Sequence, residues 1–285
     1  MYAATNGTYT LFLVEDDEPM NPREDFSHFG HMVCWHRRYC LGDAHDYDEP
    51  ADFLEDLCRR SGCEGRRHLV QLLKEKRARN AYLAFNPETG CWDLYAREDW
   101  TASPEWEVVQ SATDEQLETD AQLFDAMLEW LTLSEMKNLL KAWDGLLLFP
   151  LYLYDHSIQS ISIGSFVGRA QHAEWDSGQV GYIYVEPTAI QTVYGAISLE
   201  TMDRARQALE AEVKAYDAYL RGECYGYRLY KDGEEIDSCW GFLGDIDELK
   251  DDLRVNLPPE GAELVDKLKY TPETEDAYLA RHDIV

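Results

Sequence analysis

Apolar positions recur along the chain in two rhythms, and the rhythm predicts the element. The strongest strand-like runs are Leu146–Tyr154 and Val180–Val185, both apolar and aromatic-rich. Polar clusters sit beside them: Asp155, His156 and Ser157 after the first, and Trp175, Asp176, Ser177 and Gln179 before the second. Thr8–Val14 alternates and predicts a strand, and His31–Trp35 predicts a shorter one. Tyr82–Phe85 and Cys91–Tyr95 flank Asn86-Pro87-Glu88-Thr89-Gly90, which marks a hairpin. A second hairpin is predicted from Tyr225–Tyr230, the Asp232-Gly233 turn and Glu235–Trp240.

Helical spacing takes over elsewhere. Ala51–Arg60 carries Leu54 and Leu57 on one side, and Leu69, Leu72 and Leu73 give a helical face to the stretch after it. Asp114 to Trp143 spaces its leucines helically; Thr113 and Gln116 form a capping box, and Ser134 is the expected cap of a second helix. Pro187–Tyr194 starts on proline and closes on Gly195. Ser198–Arg221 is the clearest helix, with Met202, Leu209, Val213, Tyr216 and Leu220 along one stripe. Ile246–Leu253 is a further helix, and the chain from Leu257 is helical and then irregular. Together these predict an α+β fold: a mixed or antiparallel sheet with packed helices, carrying a helix-rich inserted unit. The expected core is 1–58 with 144–256, the insert is 59–143, and 257–285 forms a C-terminal helix and tail. The two core blocks are expected in one sheet, because neither alone has enough strands to bury its apolar face.

Composition changes the picture through charge. Fifty-five acidic residues face 26 basic ones, for a formal net charge of −29. Such a chain repels nucleic acid and anionic membranes and is drawn to basic protein surfaces. Twenty-nine charges match roughly 50 Å of duplex DNA, or about 15 base pairs. The one dense basic stretch, Arg59 to Arg79, is expected to pair with the chain's own acids. No apolar run approaches the roughly 20 residues that span a bilayer. The first residues lack the pattern of a signal peptide, so a cytoplasmic location is expected. Seven irregularly spaced cysteines argue for reduced thiols.

Candidate chemistry is thin. His28, His31, Cys34, His36, Cys40, Asp43 and His45 crowd metal-ligand types into one stretch. On a strand, Cys34 and His36 would share a face, and with His45 they are the set that a metal would take. The spacing fits no zinc pattern, so no metal or other cofactor is expected. Asp155 and His156, with Asp176, suggest acid–base work, but there is no Gly-x-Ser-x-Gly elbow. Adjacent Asp and His on a strand point to opposite faces, so Asp155 cannot orient His156. Phosphate-cradling glycine motifs are absent.

Several long motifs carry a resemblance. They are NPREDF (Asn21–Phe26), MVCWHRRYCLGDAHDYD (Met32–Asp48), PLYLYDHS (Pro150–Ser157), WDSGQVGYIYV (Trp175–Val185), EVKAYDAYLRGECYGY (Glu212–Tyr227) and DSCWGF (Asp237–Phe242). In order and content they resemble a family of uncharacterised bacteriophage and mobile-element proteins, over Leu11–Asp48 and Leu146–Gly244. Against those relatives Arg59 to Trp143 looks inserted. Cys34, His36, Asp43 and His45 fall on the family pattern, whereas His28, His31 and Cys40 depart from it. The resemblance implies a mobile-element setting in the host cytoplasm and no particular activity.

The expectation is therefore an accessory protein that inhibits a host defence system, of anti-CRISPR or anti-restriction type. It would act by acidic, nucleic-acid-mimicking contact with a basic surface of a defence protein or nucleoprotein complex, without touching nucleic acid or membrane itself. The expected contact acids are Asp114, Glu115, Glu118, Asp120, Asp247, Glu248, Asp251 and Asp252. Three pairs among them are like charges four positions apart, each costing a few tenths of a kcal/mol on a helix. One alternative is a metal-dependent hydrolase or nuclease centred on His36, Asp43, His45, Asp155, His156 and Asp176. Another is a structural or replication-associated phage protein.

Overall fold

A computed structural model of the chain describes residues 1–98 and 105–282. Residues 99–104 of the expected insert and 283–285 of the expected tail lie outside the described residues. The fold is α+β, with three antiparallel sheets among the described residues. The elements run β1 (Tyr2–Thr5), β2 (Tyr9–Glu15), β3 (His31–Cys34), α1 (Pro50–Arg60), α2 (Gly62–Lys74), β4 (Ala81–Asn86), β5 (Cys91–Ala96) and β6 (Glu107–Ala112). Then come α3 (Asp114–Thr119), α4 (Ala121–Leu128), α5 (Leu133–Leu140), β7 (Leu147–Asp155), β8 (Gln159–Ser162), α6 (Ala173–Asp176) and β9 (Ser177–Val185). The rest are α7 (Pro187–Tyr194), α8 (Leu199–Arg221), β10 (Cys224–Lys231), β11 (Glu234–Leu243), α9 (Ile246–Asn256), α10 (Pro259–Ala262), a 3₁₀ turn (Val265–Lys267), β12 (Lys269–Tyr270) and α11 (Glu275–Arg281).

Two compact units emerge. The first comprises Met1–Cys34, Phe149–Ile183 and Arg204–Val285; the second comprises Trp35–Leu148 and Tyr184–Asp203. The expected insert starts at 59, whereas the second unit starts at Trp35 and takes in α1.

The first unit holds two sheets where one was expected. One has the order β11-β10-β2-β1-β12, the other β3-β9-β7-β8. Early and late blocks do pair, but β2 pairs with β10 and β3 with β9. The turn-rich segment after β2, with Pro19 and Pro22, ends the first pairing before β3 begins the second. Leu11, Leu13, Tyr227 and Leu229 face Leu249, Leu253, Leu257 and Val265 on one side of the five-stranded sheet. On its other side Phe12 and Ala3 pack against Tyr278 and Leu279 of α11. Beside the four-stranded sheet runs α8, about 34 Å long at 1.5 Å per residue. It buries Ala205, Leu209, Val213, Tyr216 and Ala218. Ser198 accepts a hydrogen bond from the Thr201 amide at 3.2 Å and Gly222 ends the helix at φ +73°.

Two contacts fix the four-stranded sheet. Gly181 of β9 lies so close to β3 that a Cβ there would meet the Val33 carbonyl oxygen at 2.1 Å. Ser160 and the Ile161 amide of β8 both donate to Asp217 of α8, each at 2.7 Å.

In the second unit, β4, β5 and β6 form a three-stranded sheet in that order. Asp93 ties it together, accepting from Ser111 at 2.5 Å and Asn86 at 2.9 Å; these bonds hold its carboxyl below the usual carboxylate range. Helix α1 starts on Pro50 behind a Glu49–Asp52 capping box and buries Phe53, Leu54, Leu57 and Cys58. Helix α5 is capped by Thr132, not Ser134, because Glu135 completes the reciprocal box with Thr132. Part of the basic stretch is spent within the unit: Arg59 pairs with Glu55 and Asp125, Arg60 with Asp56 and Glu186, and Lys74 with Asp114.

Candidate functional site

The β7–β8 hairpin turns through His156, Ser157 and Ile158, with Asp155 opposite Gln159. This turn lifts the His156 ring out of the sheet. The short helix α6 brings Asp176 to it, and His156 Nδ1 lies 2.8 Å from Asp176 Oδ2. His172 starts that helix in the left-handed region at φ +57°, and its carbonyl accepts from the amides of Trp175 and Asp176. A non-glycine residue held there stores strain of about 1–3 kcal/mol, which the surrounding hydrogen bonds sustain. The orienting acid for His156 is thus Asp176, not its neighbour Asp155.

Rings line up behind the pair. Tyr154 stacks on Phe166 at 5.6 Å and on His156 at 6.1 Å, and His172 lies 6.2 Å from His156. Tyr154 donates its hydroxyl to the Gln171 carbonyl at 2.9 Å, which pins the loop after β8. Arg169 lies over Phe166 at 5.2 Å, and its guanidinium donates to Ser165, Gly164 and Ser162. Trp175 stands 88% exposed beside Asp176. A cavity of about 350 Å³ opens between the β8 loop and α8, lined by Ser160, Ser162, Phe166, Arg169, Lys214 and Asp217. Its polar groups are spoken for: Lys214 pairs with Glu248 at 2.6 Å and Asp217 holds β8.

Among the described residues no hydroxyl or thiol is hydrogen-bonded to the His156–Asp176 dyad. The Ser177 hydroxyl is spent on the Ala173 carbonyl at 2.6 Å. The pair is also well hydrated, with side chains 51% and 30% exposed. Burial does not activate the thiols either: it pushes Cys58 up to about 12 and Cys224 up to about 11. All seven cysteines are free thiols.

The other sequence candidates lie elsewhere. Strand β3 stops at Cys34, so His36 is off the strand and the shared face expected for the two does not form. Cys34 is buried where Gly181 makes its close approach. In the second unit His36 stacks flat on Tyr39 at 4.8 Å, and His45 packs on Trp35 and Tyr47 at 5.1 and 5.8 Å. Asp43 sits half-buried in the same loop. Among the described residues Cys34, His36 and His45 do not form a three-ligand cluster. Asp155 ends β7, half-buried. Of the six residues of the hydrolase alternative, the first unit joins His156 and Asp176.

The eight expected contact acids divide in two. Asp114 pairs with Lys74 and accepts from the Trp92 indole, which lowers its carboxyl below the ordinary range. Asp247 pairs with Lys250, Asp251 with Arg254 and Glu248 with Lys214. Asp120 caps α4 through the amides of Gln122 and Leu123. Glu115, Glu118 and Asp252 are exposed and form no ion pair among the described residues. Nearby cations thus offset the like-charge spacing of the helices, which lessens its weight as a mark of binding. Arg169, His172 and Trp175 were not singled out as site residues by sequence; only Trp175, set among polar residues, carried a signal.

No protein-family model, no curated protein and no solved structure matches the chain.

Proposed function

We propose that the chain is a binding protein that places an acidic surface on a basic partner, and that its partner is a host defence protein or nucleoprotein complex. One observation carries this: a net charge of −29 in a chain where Arg59, Arg60 and Lys74 of the densest basic stretch are already paired with its own acids. The Glu115, Glu118 and Asp252 carboxylates face solvent and form no ion pair among the described residues. Such a surface speeds encounter with a basic protein and rejects nucleic acid and anionic lipid. The mobile-element setting comes from the motif resemblance and supplies the class of partner.

The test is capture on the immobilised protein from lysates of hosts with and without a defence system, followed by phage plating with and without the gene. The reading predicts a retained defence component and higher plating on the defended host. Equal plating with no retained component contradicts it.

The 2.8 Å His156–Asp176 contact favours a second reading, a hydrolase that recruits a metal or water. Stoichiometric zinc or manganese in the purified protein, with hydrolysis lost on His156→Ala, is its signature.

A further inference from the structure

We infer that strand β11 is a docking edge that takes an extended, basic segment of the partner as an added strand. The inference rests on the acidic-contact reading above and gives it a place and a geometry. Strand β11 is the outer strand of the five-stranded sheet and has β10 as its neighbour on one side. Six of its ten residues are exposed, and among the described residues no strand pairs with its outer side. An unpaired edge presents a row of backbone donors and acceptors that another strand can satisfy.

The strand is shaped for selective use of that edge. Its sequence, EEIDSCWGFL, holds three acids and no base. Two irregularities bound its regular part. Ile236 is extruded where the register steps from Leu229↔Asp237 to Tyr230↔Glu235. Gly241 is extruded, at φ +92°, where it steps from Tyr225↔Phe242 to Gly226↔Trp240. Between them Asp237–Trp240 keeps an unbroken ladder with β10. Bulges and charges of this kind stop indiscriminate edge pairing. Here the charges are all negative, so a second copy of this acidic edge is repelled while a lysine- or arginine-rich strand is admitted.

Apolar anchors flank the carboxylates. Ile236 is 50% exposed and Trp240 44% exposed. Trp240 is fixed from beneath, since it closes onto Gly226, where a Cβ would meet its ring at 2.2 Å. Arg228, itself tied to Glu275, lies over the same ring at 5.5 Å. The geometry thus offers an exposed, positioned tryptophan, backbone hydrogen bonds and fixed negative charge to one extended basic segment.

The probe is a synthetic peptide alternating lysine with valine, read by amide hydrogen exchange and NMR titration of the full chain. Its controls are a glutamate–valine peptide and the lysine peptide N-methylated at alternate backbone amides. The outward-facing amides of Ile236–Trp240 should slow at least about tenfold with the lysine peptide. The N-methylated peptide keeps its charge but loses its donors, and should bind at least about tenfold more weakly. A Glu234→Lys, Glu235→Lys double variant should show the same loss while keeping its circular dichroism spectrum. Equal binding of the methylated peptide, or protection confined to other strands, overturns the docking edge and leaves the acidic-contact reading standing. The salt response of a partner captured from lysate judges that broader reading separately.

Discussion

Two side-chain pairs in the first unit join motifs that are distant in sequence, and they differ in what surrounds them. Arg23 of NPREDF meets Glu212 of α8 at 3.0 Å, with side chains 1% and 19% exposed. Every direction around it is used: Arg23 also donates to the Gly30 carbonyl at 2.8 Å, and Glu212 accepts from the amides of Phe29 at 2.5 Å and Gly30 at 3.1 Å. His156 and Asp176 meet at 2.8 Å with half of the imidazole in water. Burial forces the first pair to be complete, because an ion out of water must be paired and hydrogen-bonded. Hydration releases the second from that demand. Likeness of motif therefore says little about role, and the buried clamp is part of the scaffold that carries β3. The same holds for Asp217 under β8 and for Asp237, which accepts from Tyr227 at 2.9 Å.

The largest effect should come from cutting the clamp. Arg23→Ala leaves Glu212 charged and short of its cation, and should cost about 3–5 kcal/mol in a denaturant titration. Arg23→Met with Glu212→Leu should not recover that loss, because the Phe29 and Gly30 amides and the Gly30 carbonyl lose their partners. A loss below about 1 kcal/mol for the single change would erase the contrast between the pairs. Gly181→Ala comes next. The methyl has no space beside the Val33 carbonyl, so β3 and β9 must part, at about 1–3 kcal/mol by the same titration.

Acid sharpens the comparison from the other unit. Asp93 and Asp114 have carboxyls held below their ordinary range, by Ser111 and Asn86 for the first and by Lys74 and Trp92 for the second. A depressed carboxylate binds fewer protons folded than unfolded. Its contribution is complete above the ordinary carboxylate range and is lost as pH falls through the folded value. Exchange protection in β4–β6 should accordingly fall as pH drops below about 4, with Trp92 fluorescence shifting alongside it. Unchanged protection down to pH 2 would contradict the assigned hydrogen bonds. The smallest effect is expected at the hydrated pair, where Asp176→Asn should change stability by less than about 1 kcal/mol.

Much of the scaffold was legible in the sequence. Strand β2, both hairpins and the stripe of α8 carry their period openly, and caps at Thr113 and Ser198 mark helix starts. What was missed had weak local signals. Strand β6 has a burial pattern that is exposed at five of six positions, so no alternation betrays it. Strand β1 is two alanines between Tyr2 and Thr5, although Asn6 and Gly7 at φ +95° form the turn to β2. Strand β8 is four residues long and is held by Asp217, far away in sequence. At the site, His156 and Asp176 were visible as residue types, but their meeting depends on α6 and the left-handed His172. The expected metal set failed to gather because β3 ends one residue before Trp35 and the loop histidines find aromatic neighbours instead.

The acidic surface is the centre of the account, and a salt series on the partner recovered from host lysate tests it most directly. The Debye length falls from about 10 Å at 0.1 M to about 3 Å at 1 M, so affinity should drop steeply across that range. Glu115→Lys, Glu118→Lys and Asp252→Lys together remove acids that form no ion pair among the described residues, so the fold should hold while affinity falls at least about tenfold and the salt slope flattens. An affinity indifferent to salt, or unchanged in the triple variant, would contradict the account and return the acidity to solvation alone.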